Sequence, residues 1–218
     1  MAARGRQPRG GRPARQERRR RLGQNFLPPR LAEQLVAEAD FRPGQVVVEI
    51  GAGAGAVTAA LGRRALEVVA VEIDPVWAER LRARFEDGPV RVVHGDFLSV
   101  PLPTRPFRVI GSLPFGRTTD ILCRLFEDPR VPLERADLIV QWDVARKRAA
   151  VPPTTLRSTA WAPWWEFRLG RRIPAAAFRP VPRVDAGVLV VTRRDRPLLP
   201  AAMARRYVDF VRDHWPFD

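Results

Sequence analysis

The sequence predicts an α/β protein built on a doubly wound, Rossmann-like sheet whose strands are mostly parallel. Three observations support this prediction. Short apolar runs alternate along the chain with stretches of helical periodicity, as in successive βα units. A glycine-rich turn directly follows the first apolar run. The candidate site residues all follow strands, where open α/β sheets bind their ligands. These residues are Gly51, Glu72, Asp96 and Ser112.

Residues 1–21 form an arginine-rich segment with nine arginines and one acidic residue, Glu17. It contains almost nothing apolar and cannot bury enough surface to offset the entropy of ordering, so we predict that it is disordered. Two roles stay open for it, an arm that contacts phosphates and a tail that only improves solubility.

The first half of the ordered chain contains two strands and three helices by its sequence pattern. Apolar residues at helical spacing after Pro28-Pro29 predict a helix over 30–39. Residues 46–50 form a buried strand, and a helix follows to about residue 61. A second strand covers 68–73. Asp74-Pro75 then begins a helix that runs to about Phe85, with Asp as N-cap and Pro as its first residue.

The second half continues the alternation. We predict strands over 90–94, 107–111 and 137–142, with a helix near 118–127. Two later runs, 164–169 and 187–192, are expected to end the sheet as an antiparallel pair. Ala202, Tyr207, Phe210 and Val211 indicate a single C-terminal helix. The predicted organisation is therefore a tail over 1–21, one domain over 22–195 and a short, truncated helical extension over 196–218.

Composition excludes several classes of protein. The 218 residues carry a net charge of +14, which is typical of a protein that binds a polyanion. Cys123 is the one cysteine, so an internal disulfide is impossible and a cytoplasmic setting is expected. With two histidines and no Cys/His cluster, no metal site is expected. The sequence has no apolar run of membrane-spanning length, and we expect a monomer without a membrane partner.

The turn over residues 51–55 predicts a nucleotide-type cofactor site. Gly51, Gly53 and Gly55 allow the backbone to approach a ligand closely, and the N-terminus of a helix follows. No Gly-Lys-Ser/Thr follows, which excludes a P-loop. The pattern Gly51-x-Gly53-x-x-Ala56 does not by itself separate NAD from S-adenosylmethionine.

Three carboxylates at successive strand ends favour a cationic nucleoside cofactor. Glu49 precedes the glycine turn, where it faces a sulfonium or amino group in our interpretation. Glu72 is placed to accept from ribose hydroxyls. Asp96 is expected to accept from the amino group of an adenine, with Phe97 or Ile73 flanking the ring. For Asp96 alone, a loop carboxylate that caps a turn is an equally good interpretation.

The turn Ser112-Leu113-Pro114-Phe115 is suited to hold an exocyclic amine of a base. Such an amine is a poor nucleophile because its lone pair is delocalised into the ring. The Ser112 hydroxyl and the Leu113 carbonyl are candidate acceptors for its N–H bonds. Pro114 stiffens the turn and has no competing N–H, while Phe115 is placed to stack on a flipped-out base. Four residues alone would fit an ordinary turn after a strand.

These motifs occur with several others in a fixed order, and together they resemble the ribosomal RNA adenine N6-methyltransferases. The motifs are Leu22-Gly23-Gln24-Asn25-Phe26-Leu27, Glu49-Ile50-Gly51-Ala52-Gly53, Glu72-Ile73-Asp74, Gly95-Asp96-Phe97, Ser112-Leu113-Pro114-Phe115 and Phe178-Arg179-Pro180-Val181-Pro182-Arg183-Val184-Asp185. Segments 116–122 and 141–147 resemble the Erm branch, which methylates an adenine of 23S rRNA and confers macrolide–lincosamide–streptogramin B resistance. The small-subunit dimethyladenosine transferases are the sister branch.

The resemblance implies a class I methyltransferase fold, S-adenosyl-L-methionine as cofactor and 23S rRNA as partner. It implies that Gln24, Asn25 and Leu27 close over the cofactor and that Gly51 and Gly53 support its methionine part. It also implies that Phe178 is a second aromatic residue beside the flipped base. Without the family, Phe178 between prolines is more typical of a core position.

Basic residues near the predicted site are candidate contacts to RNA phosphates, although each alone would fit a solvated surface charge. They are Arg117, Arg146, Lys147, Arg148, Arg179 and Arg183, with Arg157, Arg171 and Arg172 as further candidates. The cluster Trp161, Trp164 and Trp165 fits core packing better than a platform for bases.

Two departures from the family leave alternatives open. Ser112 stands where the family usually has Asn, and residues 196–218 are much shorter than the usual helical C-terminal domain. A catalytically weak or inactive RNA-binding protein on the same scaffold is one alternative. Methylation of adenines in small-subunit rRNA or in DNA is another.

Overall fold

A computed structural model describes residues 24–64 and 67–216. The arginine-rich tail predicted over 1–21 lies outside these ranges. Among the described residues, seven strands form one sheet in the order β3-β2-β1-β4-β5-β7-β6. The strands are β1 Val46–Ile50, β2 Glu67–Glu72, β3 Val90–His94, β4 Phe107–Ser112, β5 Leu133–Gln141, β6 Trp165–Ile173 and β7 Ala186–Arg193.

Helices connect the strands and cover both faces of the sheet. They are α1 Pro29–Glu38, α2 Ala56–Gly62, α3 Pro75–Arg84, α4 Thr118–Phe126, α5 Trp142–Arg148, α6 Leu156–Trp161 and α7 Ala204–Asp213. Short 3-10 turns cover Phe115–Arg117, Ala175–Ala177 and Ala201–Met203. The predicted start of α3 is confirmed, because Pro75 is its first residue and the Asp74 carboxylate accepts from Val76 N at 3.0 Å.

The doubly wound sheet is confirmed. Strands β1 to β5 pair in parallel. The predicted antiparallel end is present as well, because β7 pairs antiparallel with both β5 and β6. Strand β5 ends beside β4 with Ile139 opposite Ser112. The carboxyl ends of β1, β2, β4 and β5 therefore meet at one edge of the sheet.

Three details of the second half differ from the prediction. Strand β5 begins at Leu133, four residues earlier than expected. The charged residues at 134–135 interrupt its apolar run, so the sequence pattern placed the start of the strand too late. Trp142 begins helix α5 instead of ending the strand. Helix α6 was not predicted, although Thr155 caps it by accepting from Ser158 N at 3.2 Å.

The core consists of three clusters of buried side chains. Trp161, Trp164 and Trp165 are all buried in the largest cluster, which confirms that they are packing residues. Trp164 also contacts the C-terminal helix α7, where its ring centroid lies 6.0 Å from that of Tyr207. The predicted single helix after the last strand is thus packed on the domain.

A buried charge network fixes the end of α1 to the sheet. The Arg108 guanidinium lies 3.2 Å from the Asp137 carboxylate and donates to Asp40 O at 2.9 Å and to Ala39 O. Arg135 donates to the other Asp137 oxygen at 2.6 Å. Burial lowers the pKa of Arg108 from its usual value, and the charge of Asp137 opposes that shift.

We expect Asp137→Ala to destabilise the fold by about 3 kcal/mol, because it leaves two cations without their buried partner. Urea unfolding with an unchanged slope measures this change. The control is Glu67→Ala, which removes the exposed partner of Arg105 and is expected to cost less than about 1 kcal/mol. Equal losses in the two variants would contradict the importance of this network.

Candidate functional site

The glycine turn after β1 has a backbone conformation that side chains disfavour. Gly51, Gly53 and Gly55 have φ values of 70°, 53° and 78°, all in the left-handed region. A Cβ atom at Gly51 would lie 3.6 Å from the Ser112 carbonyl oxygen. The turn after β1 and the turn after β4 therefore lie side by side at the edge of the sheet.

One cavity lies between these two turns. Its walls are segments 24–27, 51–54 and 112–114, together with Glu49, Glu72 and Ile73 and the start of α2. The predicted cofactor turn, the predicted amine-binding turn and the N-terminal motif thus meet at the carboxyl ends of β1, β2 and β4. This is the position at which open α/β sheets bind ligands.

Glu72 holds the glycine turn in place. Its side chain is buried, and its two oxygens accept from Gly53 N at 2.6 Å and from Asp74 N at 2.8 Å. Burial raises the pKa of Glu72, and these two backbone hydrogen bonds oppose the shift. The carboxylate therefore orders both the glycine turn and the start of α3 while it lines the cavity.

Glu49 is a second buried carboxylic acid of the cavity wall. It accepts a hydrogen bond from the Thr58 hydroxyl at 2.6 Å. Burial raises the pKa of Glu49 to about 7, with the hydrogen bonds from Thr58 acting in the opposite direction. Sequence reasoning missed Thr58, although it is the one hydroxyl in the otherwise apolar helix α2.

Segment 24–27 forms one wall of the cavity, and its closure over a cofactor stays a prediction. The backbone of Phe26 makes an isolated antiparallel bridge with Arg179, with hydrogen bonds of 3.0 and 3.1 Å. The Gln24 amide donates to Asp74 at 3.2 Å. The buried Gln24 Oε1 has no hydrogen-bond partner among the described residues, and Gln24 is one of the residues that line the cavity.

The turn over residues 112–115 is tightly fixed. Leu113 N donates to Ile139 O at 2.9 Å, which anchors the turn to β5. The Pro114 carbonyl accepts from Arg117 N at 2.9 Å and from the Thr118 hydroxyl at 3.2 Å. Ser112, Leu113 and Pro114 line the cavity.

Two predicted aromatic contacts need correction. Phe97 is 5 % exposed and packs in the core, so of the two residues proposed to flank an adenine only Ile73, 42 % exposed, is open at the surface. Phe178 is 1 % exposed and belongs to a core cluster against which Phe115 packs. Its ring is buried in this structure and is not exposed to a base.

Asp96 lies outside the cavity wall in this structure. Its carboxylate accepts from Leu98 N at 2.9 Å, so it caps a turn as the simpler interpretation held. It also lies 3.8 Å from the half-exposed Arg117 guanidinium, which follows the 112–115 turn. Whether Asp96 binds a ligand stays a prediction.

The predicted phosphate contacts fall into two groups. Arg146, Lys147 and Arg183 are exposed. By contrast, Arg148 is half-buried, donates to Thr155 Oγ1 at 2.7 Å and lies over the Trp161 ring, so it is better explained as a structural residue. The Arg179 guanidinium donates to the carbonyls of its own loop.

The chemistry of the cavity suits a ligand that carries donors and positive charge. Glu49, Glu72 and Gln24 Oε1 are acceptors, and the left-handed glycines leave room for close contact with the backbone. No cation of the described residues lines the cavity wall. An S-adenosylmethionine molecule, with its sulfonium, ammonium and ribose hydroxyls, fits this set of residues.

The family comparison agrees with this geometry. The model of the family described as "Ribosomal RNA adenine dimethylase" matches residues 15–215. The chain belongs to the ribosomal RNA adenine dimethylase family.

Several relatives in this family are similar over most of the chain. The mycinamicin-resistance protein MyrB of Micromonospora griseorubida is 44% identical over 89% of this chain. An rRNA methyltransferase of Streptomyces thermotolerans is 44% identical over 93% of it. The crystal structure of the 23S rRNA methyltransferase ErmE superposes with a TM-score of 0.77 and 32% identity, covering 86% of this chain and 78% of that one.

The curated relatives are longer than this chain. It spans 62% of MyrB and 68% of the Streptomyces protein.

Within residues 24–64 and 67–216, no cluster of three or more His, Cys, Asp or Glu side chains could hold a metal ion. No helix in the described part of the chain is both long and apolar enough to cross a membrane.

We expect the pH dependence of stability to reveal the buried carboxyl of Glu49. Its folded-state pKa is raised from 4.5 to about 7. Its contribution to stability is therefore fully present below pH 4.5 and is lost as the pH rises through 7. Between pH 5 and pH 8, the ligand-free protein should lose about 2 kcal/mol more stability than Glu49→Gln, which stays neutral.

Urea unfolding at both pH values measures this difference. The control Glu79→Gln alters an exposed carboxylate of α3 and should retain the pH dependence of the unmodified protein. An unchanged pH dependence in Glu49→Gln would show that Glu49 is already ionised in the folded state.

Proposed function

We propose that this protein transfers a methyl group from S-adenosyl-L-methionine to the N6 amine of an adenine in 23S rRNA, and that it thereby confers macrolide–lincosamide–streptogramin B resistance. The observation that carries the proposal is the single cavity that joins the glycine turn to the 112–114 turn. The names of MyrB and ErmE support the substrate and the resistance role.

The cavity walls suggest how the cofactor is held. S-adenosylmethionine supplies an activated methyl group on a sulfonium when it is bound. Gly51 and Gly53 leave space for its methionine part, and Glu72 is placed for the ribose hydroxyls. Glu49 and Gln24 Oε1 offer acceptors to its ammonium group or hydroxyls. Asp96 and Ile73, at the edge of the site, are our candidates for the adenine of the cofactor.

The 112–115 turn is suited to the target amine. Ser112 Oγ and the Leu113 carbonyl are acceptors for the two N–H bonds, and Pro114 presents no N–H of its own. Accepting these hydrogens localises the lone pair on nitrogen, which makes the amine a better nucleophile. Most of the rate enhancement then comes from holding the two reactants in line. The adenine must leave its stack to reach this turn, and Phe115 offers a ring to stack on.

The basic side chains exposed in the structure support an RNA substrate. Arg146 and Lys147 lie on α5, which begins at the carboxyl end of β5 beside the 112–115 turn. Arg183 lies in the loop that follows Phe178. We propose that these residues contact phosphates. We further propose that the protein acts as a monomer in the cytoplasm, where ribosomes are assembled.

Replacing the stacking ring should weaken methyl transfer. We expect Phe115→Ala to lower kcat/KM on protein-free 23S rRNA by about tenfold or more, because base stacking contributes about 1–3 kcal/mol. Transfer of tritium from labelled cofactor to the RNA measures it. Phe210→Ala, which removes an exposed ring on α7, is the matched control and should keep full activity.

Three outcomes separate the alternatives. Equal labelling with Phe115→Ala would contradict the stacking role. Labelling of small-subunit rRNA in place of 23S rRNA would identify small-subunit rRNA as the substrate. Tight binding of 23S rRNA by the unmodified protein without any labelling would identify an inactive RNA-binding protein on this scaffold, and would overturn the proposed activity.

Salt dependence should reveal the phosphate contacts. We expect the double variant Arg146→Ala/Lys147→Ala to reduce the slope of log Kd against log salt concentration by about 1 to 2, since each lost phosphate contact lowers it by about 1. Filter binding over a salt series measures the slope. Arg205→Ala/Arg206→Ala on α7 is the control pair, and a loss of slope there alone would place the RNA on the C-terminal helix.

A further inference from the structure

The ring of Phe26 covers the glycine turn of the cavity. A Cβ atom at Gly53 would lie 2.9 Å from Cε1 of Phe26, closer than real Cβ atoms approach their neighbours. The ring therefore lies directly against the backbone of the turn. Since Phe26 also lines the cavity, its position decides how well segment 24–27 closes the site.

Phe26 is held from two sides. Its backbone is bridged to Arg179 by two hydrogen bonds. On its other side, its ring packs against Trp77, with centroids 5.3 Å apart and planes inclined by 60°. This tilted geometry is favourable for an aromatic pair. The bridge fixes the main chain of the segment, whereas the contact with Trp77 fixes where the ring points.

Trp77 is itself firmly placed. It lies in the first turn of α3, whose N-cap Asp74 donates its N–H to Glu72 and accepts the Gln24 amide. The Arg80 guanidinium covers the Trp77 ring at 5.1 Å from its centroid. Trp77 does not line the cavity, so it does not contact a ligand there. Trp77 thus connects helix α3, which begins beside Glu72, to segment 24–27 through its contact with Phe26.

We propose that Trp77 is a positioning residue for cofactor retention, which acts by holding the Phe26 ring closed over the glycine turn. The inference rests on the proposed function, because it takes the ligand of this cavity to be S-adenosylmethionine. It assigns Trp77 no part in methyl transfer itself. Loss of the indole should release the cofactor faster without changing the chemistry at the 112–115 turn.

The test compares Trp77→Ala with Trp77→Phe, which keeps an aromatic ring at the same place. We expect Trp77→Ala to weaken binding of S-adenosylhomocysteine by about fivefold to tenfold in calorimetry, the range that one aromatic pair corresponds to. Dissociation measured by stopped flow should accelerate by a similar factor. The KM for S-adenosylmethionine should rise, while kcat stays within about twofold. Trp77→Phe should restore most of the affinity.

The outcomes of this test are distinguishable. Equal Kd values for the unmodified protein and Trp77→Ala overturn the inference and leave the proposed function intact. A Trp77→Phe variant as weak as Trp77→Ala also overturns it, because the ring contact is then not the cause. Absence of S-adenosylhomocysteine binding to the unmodified protein overturns the proposed function itself. Thermal melts of each variant identify a loss of affinity that comes from unfolding.

Discussion

The close approach of β1 and β4 at their carboxyl ends is the constraint on which the site depends. A Cβ atom at Gly111 would lie 2.5 Å from the Ile50 carbonyl oxygen, so this position in β4 has no room for a side chain. One residue further along each strand, Gly51 faces the Ser112 carbonyl. Because the clash at Gly111 involves backbone atoms of Ile50, it cannot be relieved by a change of rotamer. The two turns are therefore adjacent, and one cavity can serve both.

Buried carboxylic acids are the second requirement of this arrangement. Glu49 and Glu72 are each buried, and burial raises the pKa of both. Their hydrogen bonds to Thr58, Gly53 and Asp74 offset part of the cost of removing a charge from water. The site thus keeps acceptors facing a cavity at some expense in stability, as is common where a protein must bind a cation.

The sequence predicted most of this architecture because its strands are apolar and their ends carry unusual residues. The placement of Gly51 and Ser112 at the ligand-binding edge of the sheet followed from the position of each residue directly after a strand. Side-chain burial was harder to predict. Phe97, Phe115 and Phe178 each belong to a motif that resembles the family, and each was expected to contact a base. Packing from distant elements decides which of these rings is buried, and the local sequence does not show it. The contact between Phe26 and Trp77 joins two segments that are distant in the sequence, and neither local pattern predicts it.

The bridge between Phe26 and Arg179 has a consequence for how the protein matures during translation. The two bridged residues come from opposite ends of the domain, and six strands, β1 to β6, and six helices, α1 to α6, lie between them in the chain. Such a distant pairing forms late, because the intervening chain must first be ordered. The bridge that fixes the backbone of Phe26 therefore cannot form during synthesis until the segment beyond β6 has left the ribosome.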